Sequence, residues 1–182
     1  MPKAVATEFF AEPTLDVAPR LIGMVIEANG VSGRIVEVEA YTNDAASHAF
    51  RRTARSAIMF DTYGHVYVYF IYGTNYCLNF TTECHHVGAV LIRAVEPLSG
   101  ISLMQERRGL ENVRLLCNGP GKLCKAFGID LAFTGSAVGD EIRLYHGRAK
   151  AIATGPRIGI TKAMDLPWRF WEEGNLFVSR KR

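Results

Sequence analysis

Ile35-Val36-Glu37-Val38-Glu39-Ala40-Tyr41 is the stretch on which the fold turns. A period of two makes it a strand, with Val36, Val38 and Ala40 on one side and Glu37, Glu39 and Tyr41 on the other. One face suits a core. The opposite face carries two carboxylates and an aromatic ring in a row. A half-solvated strand showing its polar side is the plain explanation. A pocket wall, with a general base beside a stacking platform, is the functional one.

Upstream, Asn29-Gly30 between the strand-like runs Met24–Glu27 and Arg34–Tyr41 is a strong hairpin signal. Downstream, Val66–Tyr72 and Tyr76–Phe80 flank Gly73-Thr74-Asn75 as a second hairpin, and Ala89–Val95 is a further strand. Thr14 is expected to cap a short helix to about Leu21 in spite of Pro19, Pro97 to open a helix to about Arg108, and Asn118-Gly119-Pro120 to start one through Phe127. Glu141–Tyr145 and Arg157–Ile160 read as late strands, while Thr42–Arg55 reads as a polar, irregular segment ending in Arg51, Arg52 and Arg55. These elements predict one α+β domain over residues 1–182, with mostly antiparallel strands in a curved sheet, flanking helices and a protruding β-hairpin.

Composition narrows the class. The 182 residues are 48% apolar and 21% charged, with 17 Gly and 7 Pro, so collagen-like and disordered chains are excluded. Mean hydropathy is +0.05. No apolar run reaches the roughly 18 residues of a membrane span, and acidic residues interrupt any signal-peptide pattern at the start. An intracellular protein is expected, in the cytoplasm or nucleoid if bacterial. The net charge of +3 is uneven: residues 1–50 hold three Lys/Arg against seven Asp/Glu, and the remainder is basic. A polyanionic partner is permitted, not demanded.

Several chemistries are absent. Cys77 and Cys84 stand seven apart, as do Cys117 and Cys124, which is not zinc-knuckle spacing even with His85 and His86 nearby; buried reduced thiols are expected and no metal. Gly119-Pro120-Gly121-Lys122 is followed by Leu123 where a P-loop has Ser or Thr. There is no G-x-S-x-G, G-x-G-x-x-G or H-E-x-x-H, nor the zinc deaminase pattern.

Two more strands give the acidic face company. Tyr67 and Tyr69 share a face of Val66–Tyr72, and Tyr72 falls at the hairpin turn, where little core is available. Arg93 sits inside the apolar run Val90–Val95 and must find a carboxylate or a phosphate.

In order along the chain, Gly33 through Tyr41, Ala46-Ser47-His48, Met59-Phe60, Val66 through Asn79, Val90 through Leu98, Asn118 through Cys124, Gly155 through Ile160 and Pro167-Trp168-Arg169-Phe170 resemble the alkyladenine (3-methyladenine) DNA glycosylase family, also called methylpurine glycosylases. The resemblance spans essentially the whole chain. It implies a monofunctional DNA-repair glycosylase, acting without a cofactor as a monomer on double-stranded DNA with damaged purines, away from membranes. It implies that Glu39 is the general base for attack of water on the sugar C1′, and that Arg93 helps hold the water and keeps Glu39 ionised, with Glu37 a less essential partner. It further implies that Tyr41 and His48 sandwich the extruded base, that Tyr69 packs at its edge, that Asn79 excludes guanine, and that Tyr72 enters the duplex. A non-catalytic binder of distorted nucleic acid would use the same aromatics, and an acyl- or formyl-transfer domain would need a cofactor motif that the sequence lacks. The turn Thr81–Val87, with Cys84-His85-His86, has no role in this scheme.

Overall fold

Asn29 (φ 49°) and Gly30 (φ 78°) both adopt left-handed backbone, the geometry of a two-residue hairpin turn, and join β1 (Val25–Ala28) to β2 (Val31–Tyr41). The computed structural model describes residues 3–179. Six strands run β3 (Val66–Ile71), β4 (Asn75–Thr82), β5 (Gly88–Ser99), β2, β1 and β6 (Arg143–Tyr145) across one curled sheet. Two more, β7 (Ile152–Gly155) and β8 (Arg169–Glu172), attach where β8 pairs with Glu37–Glu39 of β2. The pairings are antiparallel, so the α+β expectation, with its protruding β3–β4 hairpin, holds.

The helices α1 (Thr14–Leu21), α2 (Ala57–Asp61), α3 (Ile101–Arg108) and α4 (Pro120–Phe127) are short. Val17 and Leu21 of α1 and Leu123 and Phe127 of α4 join Ile35, Val38, Leu78, Phe80 and Ile92 of the sheet in the main core. Truncating a fully buried member such as Leu78 to alanine costs about 2–5 kcal/mol. Pro120 opens α4 at its first turn, as its sequence predicts.

Four expectations are corrected. Thr14 is the first residue of α1, not its cap; Pro13 takes that place, and the Thr14 hydroxyl bonds Thr82 and Glu83. Val36 does not share a face with Val38 and Ala40: the register slips there, and Ile35 takes its place in the main core. Pro97 opens no helix. It continues β5 opposite Gly33, because Val95 N–H, in phase with it, points away from β2 to Cys117 O, so the missing Pro97 N–H falls on the same open edge. The helix begins after Gly100, left-handed at φ 68°, where any Cβ would lie 2.6 Å from Gly30 O. Arg157–Ile160 is a loop, since β8 occupies the edge of β2 that it would need.

Candidate active site

The polar face of β2 is built by two opposed bulges. Between Ile35↔Val95 and Glu37↔Ala94, β2 carries Val36 as an extra residue; between Glu37↔Ala94 and Val38↔Ile92, β5 carries Arg93. Arg93 thereby meets both carboxylates, Nε 3.2 Å from Glu37 Oε1 and Nη1 3.3 Å from Glu39 Oε2. Glu37 also accepts from Arg169 Nε at 2.6 Å and from the backbone N–H and hydroxyl of Ser179 at 2.6 and 2.8 Å. Two carboxylates and two guanidiniums balance in a buried cluster, which lowers the desolvation cost of each. Glu37 Oε1 takes Arg93, Arg169 and the Ser179 hydroxyl, and Oε2 takes the Ser179 N–H, so this carboxylate is fully engaged in holding its neighbours.

Glu39 is fully buried. Its Oε2 accepts from Tyr41 OH at 2.9 Å, and its Oε1 accepts from Ile158 N–H at 2.6 Å. Burial pushes its carboxyl above the ordinary carboxylate range; Arg93, the Ile158 N–H and the Tyr41 hydroxyl pull it down by less. Arg93 therefore favours the ionised form, but burial wins. Burial likewise raises Tyr41, so its hydroxyl remains a donor. A basic carboxylate with fixed donors on two sides is suited to taking a proton from water.

In front of this group lies a cleft of about 1020 Å³, bordered by Tyr41, His48, Tyr69, Tyr72, Asn79 and Arg93. Six of the seven sequence-predicted site residues thus share one cavity, at the upper end of ligand pockets, which run to about 1,000 Å³. Glu39 itself does not border it. It stands directly behind Tyr41, Arg93 and Ile158, which do.

The aromatic part of the wall is ordered by contacts among its own members. His48 sits at the start of a 3₁₀ turn, His48–Phe50, with its ring 4.6 Å from that of Tyr69 and Nδ1 2.9 Å from Tyr67 OH. Desolvation at the cleft wall, helped by Arg55, lowers its pKa and favours the neutral imidazole. Asn79 uses its amide donors on Tyr67 O and Cys77 O, at 3.0 and 3.2 Å, which leaves its carbonyl oxygen as the polar group it can offer the cavity. Tyr72, at the hairpin tip, is 81% exposed and has φ 54°, a left-handed conformation that costs a non-glycine residue roughly 1–2 kcal/mol.

Sequence reasoning gave no role to Arg157, Ile158, Tyr67 or Ser179, all of which touch the predicted residues. A buried charge in a short apolar run was the available signal for Arg157; the backbone N–H of Ile158 had none. The far end of the cleft is bordered by Asn118 and Gly119, just before α4, residues to which the resemblance assigns no role. Cys77, Cys117 and Cys124 are buried free thiols, while Cys84 is exposed. Among the described residues no helix is long and apolar enough to cross a membrane.

Residues 8–176 match the model of the family described as methylpurine-DNA glycosylase. A relative from Rhodopseudomonas palustris (strain HaA2) is 48% identical over 94% of this chain and 88% of its own length. One from Agrobacterium fabrum (strain C58) is 48% identical over 97% and 93%, and one from Nitrosospira multiformis is 47% identical over 94% and 91%. Each bears the name "Putative 3-methyladenine DNA glycosylase". The chain belongs to the methylpurine-DNA glycosylase family, DNA-repair enzymes that hydrolyse N-glycosyl bonds.

Proposed function

We propose that this glycosylase extrudes a damaged purine, of the alkylated adenine, hypoxanthine or etheno-adenine type, from duplex DNA and hydrolyses its N-glycosidic bond with a water activated by Glu39. The base lies between Tyr41 and His48, with Tyr69 at its edge, and the Tyr72 ring fills the gap left in the stack. Extrusion costs unstacking, and aromatic contacts on the base and in the gap offset it.

In the chemical step the glycosidic bond breaks with its electron pair leaving on the base, and positive charge grows on the sugar. The buried Glu39 carboxylate stabilises that charge. The water oxygen bonds C1′, its proton passes to Glu39, and an abasic site remains. Arg93 helps hold the water and, with Tyr41 OH and Ile158 N–H, fixes the carboxylate. This step calls for no cofactor. The enzyme works as a monomer on cytoplasmic or nucleoid DNA; the relatives that resemble it are bacterial.

The observation that carries the reading is Glu39, buried, hydrogen-bonded by Tyr41 OH and Ile158 N–H and ion-paired with Arg93, at the back of an aromatic cleft. A pure binder of distorted DNA would have no use for such a group. Incubation with duplexes bearing each lesion, scored for abasic sites, is expected to show release from at least one damaged purine and none from undamaged DNA. Binding without release from any lesion would overturn the reading.

A further inference from the structure

Arg157 does not border the cleft, and its side chain is wholly buried. Its Nη1 donates at 3.0 Å to the carbonyl of Ala40, the residue between Glu39 and Tyr41. Its guanidinium carbon lies 4.6 Å from the centre of the Tyr41 ring and 5.1 Å from that of Trp168. Because Tyr41 borders the cleft and Arg157 does not, the guanidinium backs that ring from the protein side. Asp44 accepts from Nη1 at 3.1 Å and from Nη2 at 2.7 Å. Asp44 also accepts from the N–H groups of Thr42 and Ala46, and its carbonyl takes Ser47 N–H, so it shapes the loop that delivers His48. The residue after Arg157 is Ile158, whose N–H holds Glu39.

We propose that Arg157 is a positioning residue that sets the spacing between the Tyr41 and His48 rings and holds Glu39 in place behind them. The proposal rests on the reading of the cleft as a base-binding slot. One planar fork, fixed by Asp44 and Ala40, determines the tilt of Tyr41; the Tyr41 hydroxyl passes that tilt to Glu39; and Asp44 passes the same reference to the His48 loop. Arg157 Nε is the one buried side-chain nitrogen or oxygen among the described residues that has no hydrogen-bond partner. The plane of the group is kept against two rings, with both Nη atoms fixed to oxygens. Lysine can keep the charge but not the plane.

The test uses the full chain carrying Glu39→Gln, so that lesion duplex is bound and not consumed, with and without Arg157→Lys. Equilibrium affinities are measured, at one salt concentration, for duplexes containing etheno-adenine, hypoxanthine or no lesion. With Arg157→Lys the preference for lesion over undamaged duplex is expected to fall about tenfold, as a misplaced stacking platform loses contacts made only to the extruded base. The ratio between the tricyclic and the bicyclic lesion should also change, by about threefold or more, since a slot of altered width treats them differently. Loss of fold stability alone would move neither ratio. A folded Arg157→Lys protein with both ratios unchanged would overturn the proposal. Should Arg157→Lys not fold, Asp44→Asn keeps the Arg157 side chain but weakens its charged anchor, and is read the same way: a smaller shift in the same direction supports the proposal, and none overturns it. Base release by the Glu39→Gln protein would sink the assignment of Glu39 while leaving the two ratios to judge Arg157.

Discussion

Tyr41 donates its hydroxyl to Glu39 Oε2 at 2.9 Å, from two residues further along the same strand face. The ring that borders the cleft and the carboxylate behind it are therefore one unit, and anything that moves the first disturbs the second.

The pH dependence of base release follows from Glu39. Burial holds its carboxyl above the ordinary value of 4.5, and a general base must be ionised to act. The single-turnover rate should rise with pH through one ionisation above that value and then level off. Arg93 lowers the Glu39 pKa, so Arg93→Gln should move this acid limb to higher pH as well as lowering the plateau. A limb that stays at the same pH in the mutant would show that Arg93 does not act through the carboxyl.

The Asn79 side chain borders the cavity and is fixed there by two hydrogen bonds from its amide nitrogen to the backbone carbonyls of Tyr67 and Cys77, so it cannot swing aside for a bulkier base edge. In Asn79→Ala, guanine should gain access, and discrimination between hypoxanthine and guanine should fall by about 1–3 kcal/mol. Competitive excision from duplexes carrying each base measures this. An unchanged preference would place guanine rejection elsewhere.

Tyr72 keeps a left-handed backbone at 81% exposure, so the fold gains little from its ring. Tyr72→Ser should weaken lesion-specific binding and slow excision from paired duplex, while excision of the same lesion opposite an abasic gap, where less stacking is broken, suffers less. Salt-sensitive binding to undamaged DNA should hardly change, because it comes from the basic side chains. Equal losses on both substrates would show that Tyr72 supports the pocket instead.

Much of this was legible in the sequence, and the gaps have physical causes. Asn29-Gly30 and the alternation of Val38 to Tyr41 are local signals, and local signals specified the hairpin and the acidic face. The need of Arg93 for a carboxylate could be read from its apolar surroundings. That it would meet both Glu37 and Glu39 could not, because the two bulges that aim it shift register without marking any periodicity. Pro97 misled because proline suits both the first turn of a helix and the open edge of a strand, and tertiary pairing decides between them. Ile158 lies 119 residues from Glu39 and acts through its backbone, which every residue but proline possesses. The four residues Arg169–Glu172 are too few to show strand periodicity.

Acid stability should report a separate cluster. Glu172 accepts two bonds from Arg34 at 2.6 Å, and these hold its carboxyl down at about 2, against an ordinary 4.5. Since the folded value is depressed, the stabilisation is present above pH 4.5 and is lost as pH falls through about 2. Glu172→Gln should lower stability by about 2 kcal/mol at pH 6, typical of a charge-assisted pair, and by less at pH 3. Denaturant melts at the two pH values measure it, and an equal loss at both would mean that the pair contributes through packing and not through charge.

Glu39→Gln decides whether Glu39 takes the proton from water. Glu39→Gln preserves the shape of the side chain and removes its basicity, so lesion binding should persist while the single-turnover rate of base release falls by about 10²–10⁴-fold across the whole pH range. Measured on the best lesion duplex under saturating enzyme, that loss with retained affinity is the result expected. Release at a near-normal rate by the Glu39→Gln protein would contradict the mechanism outright.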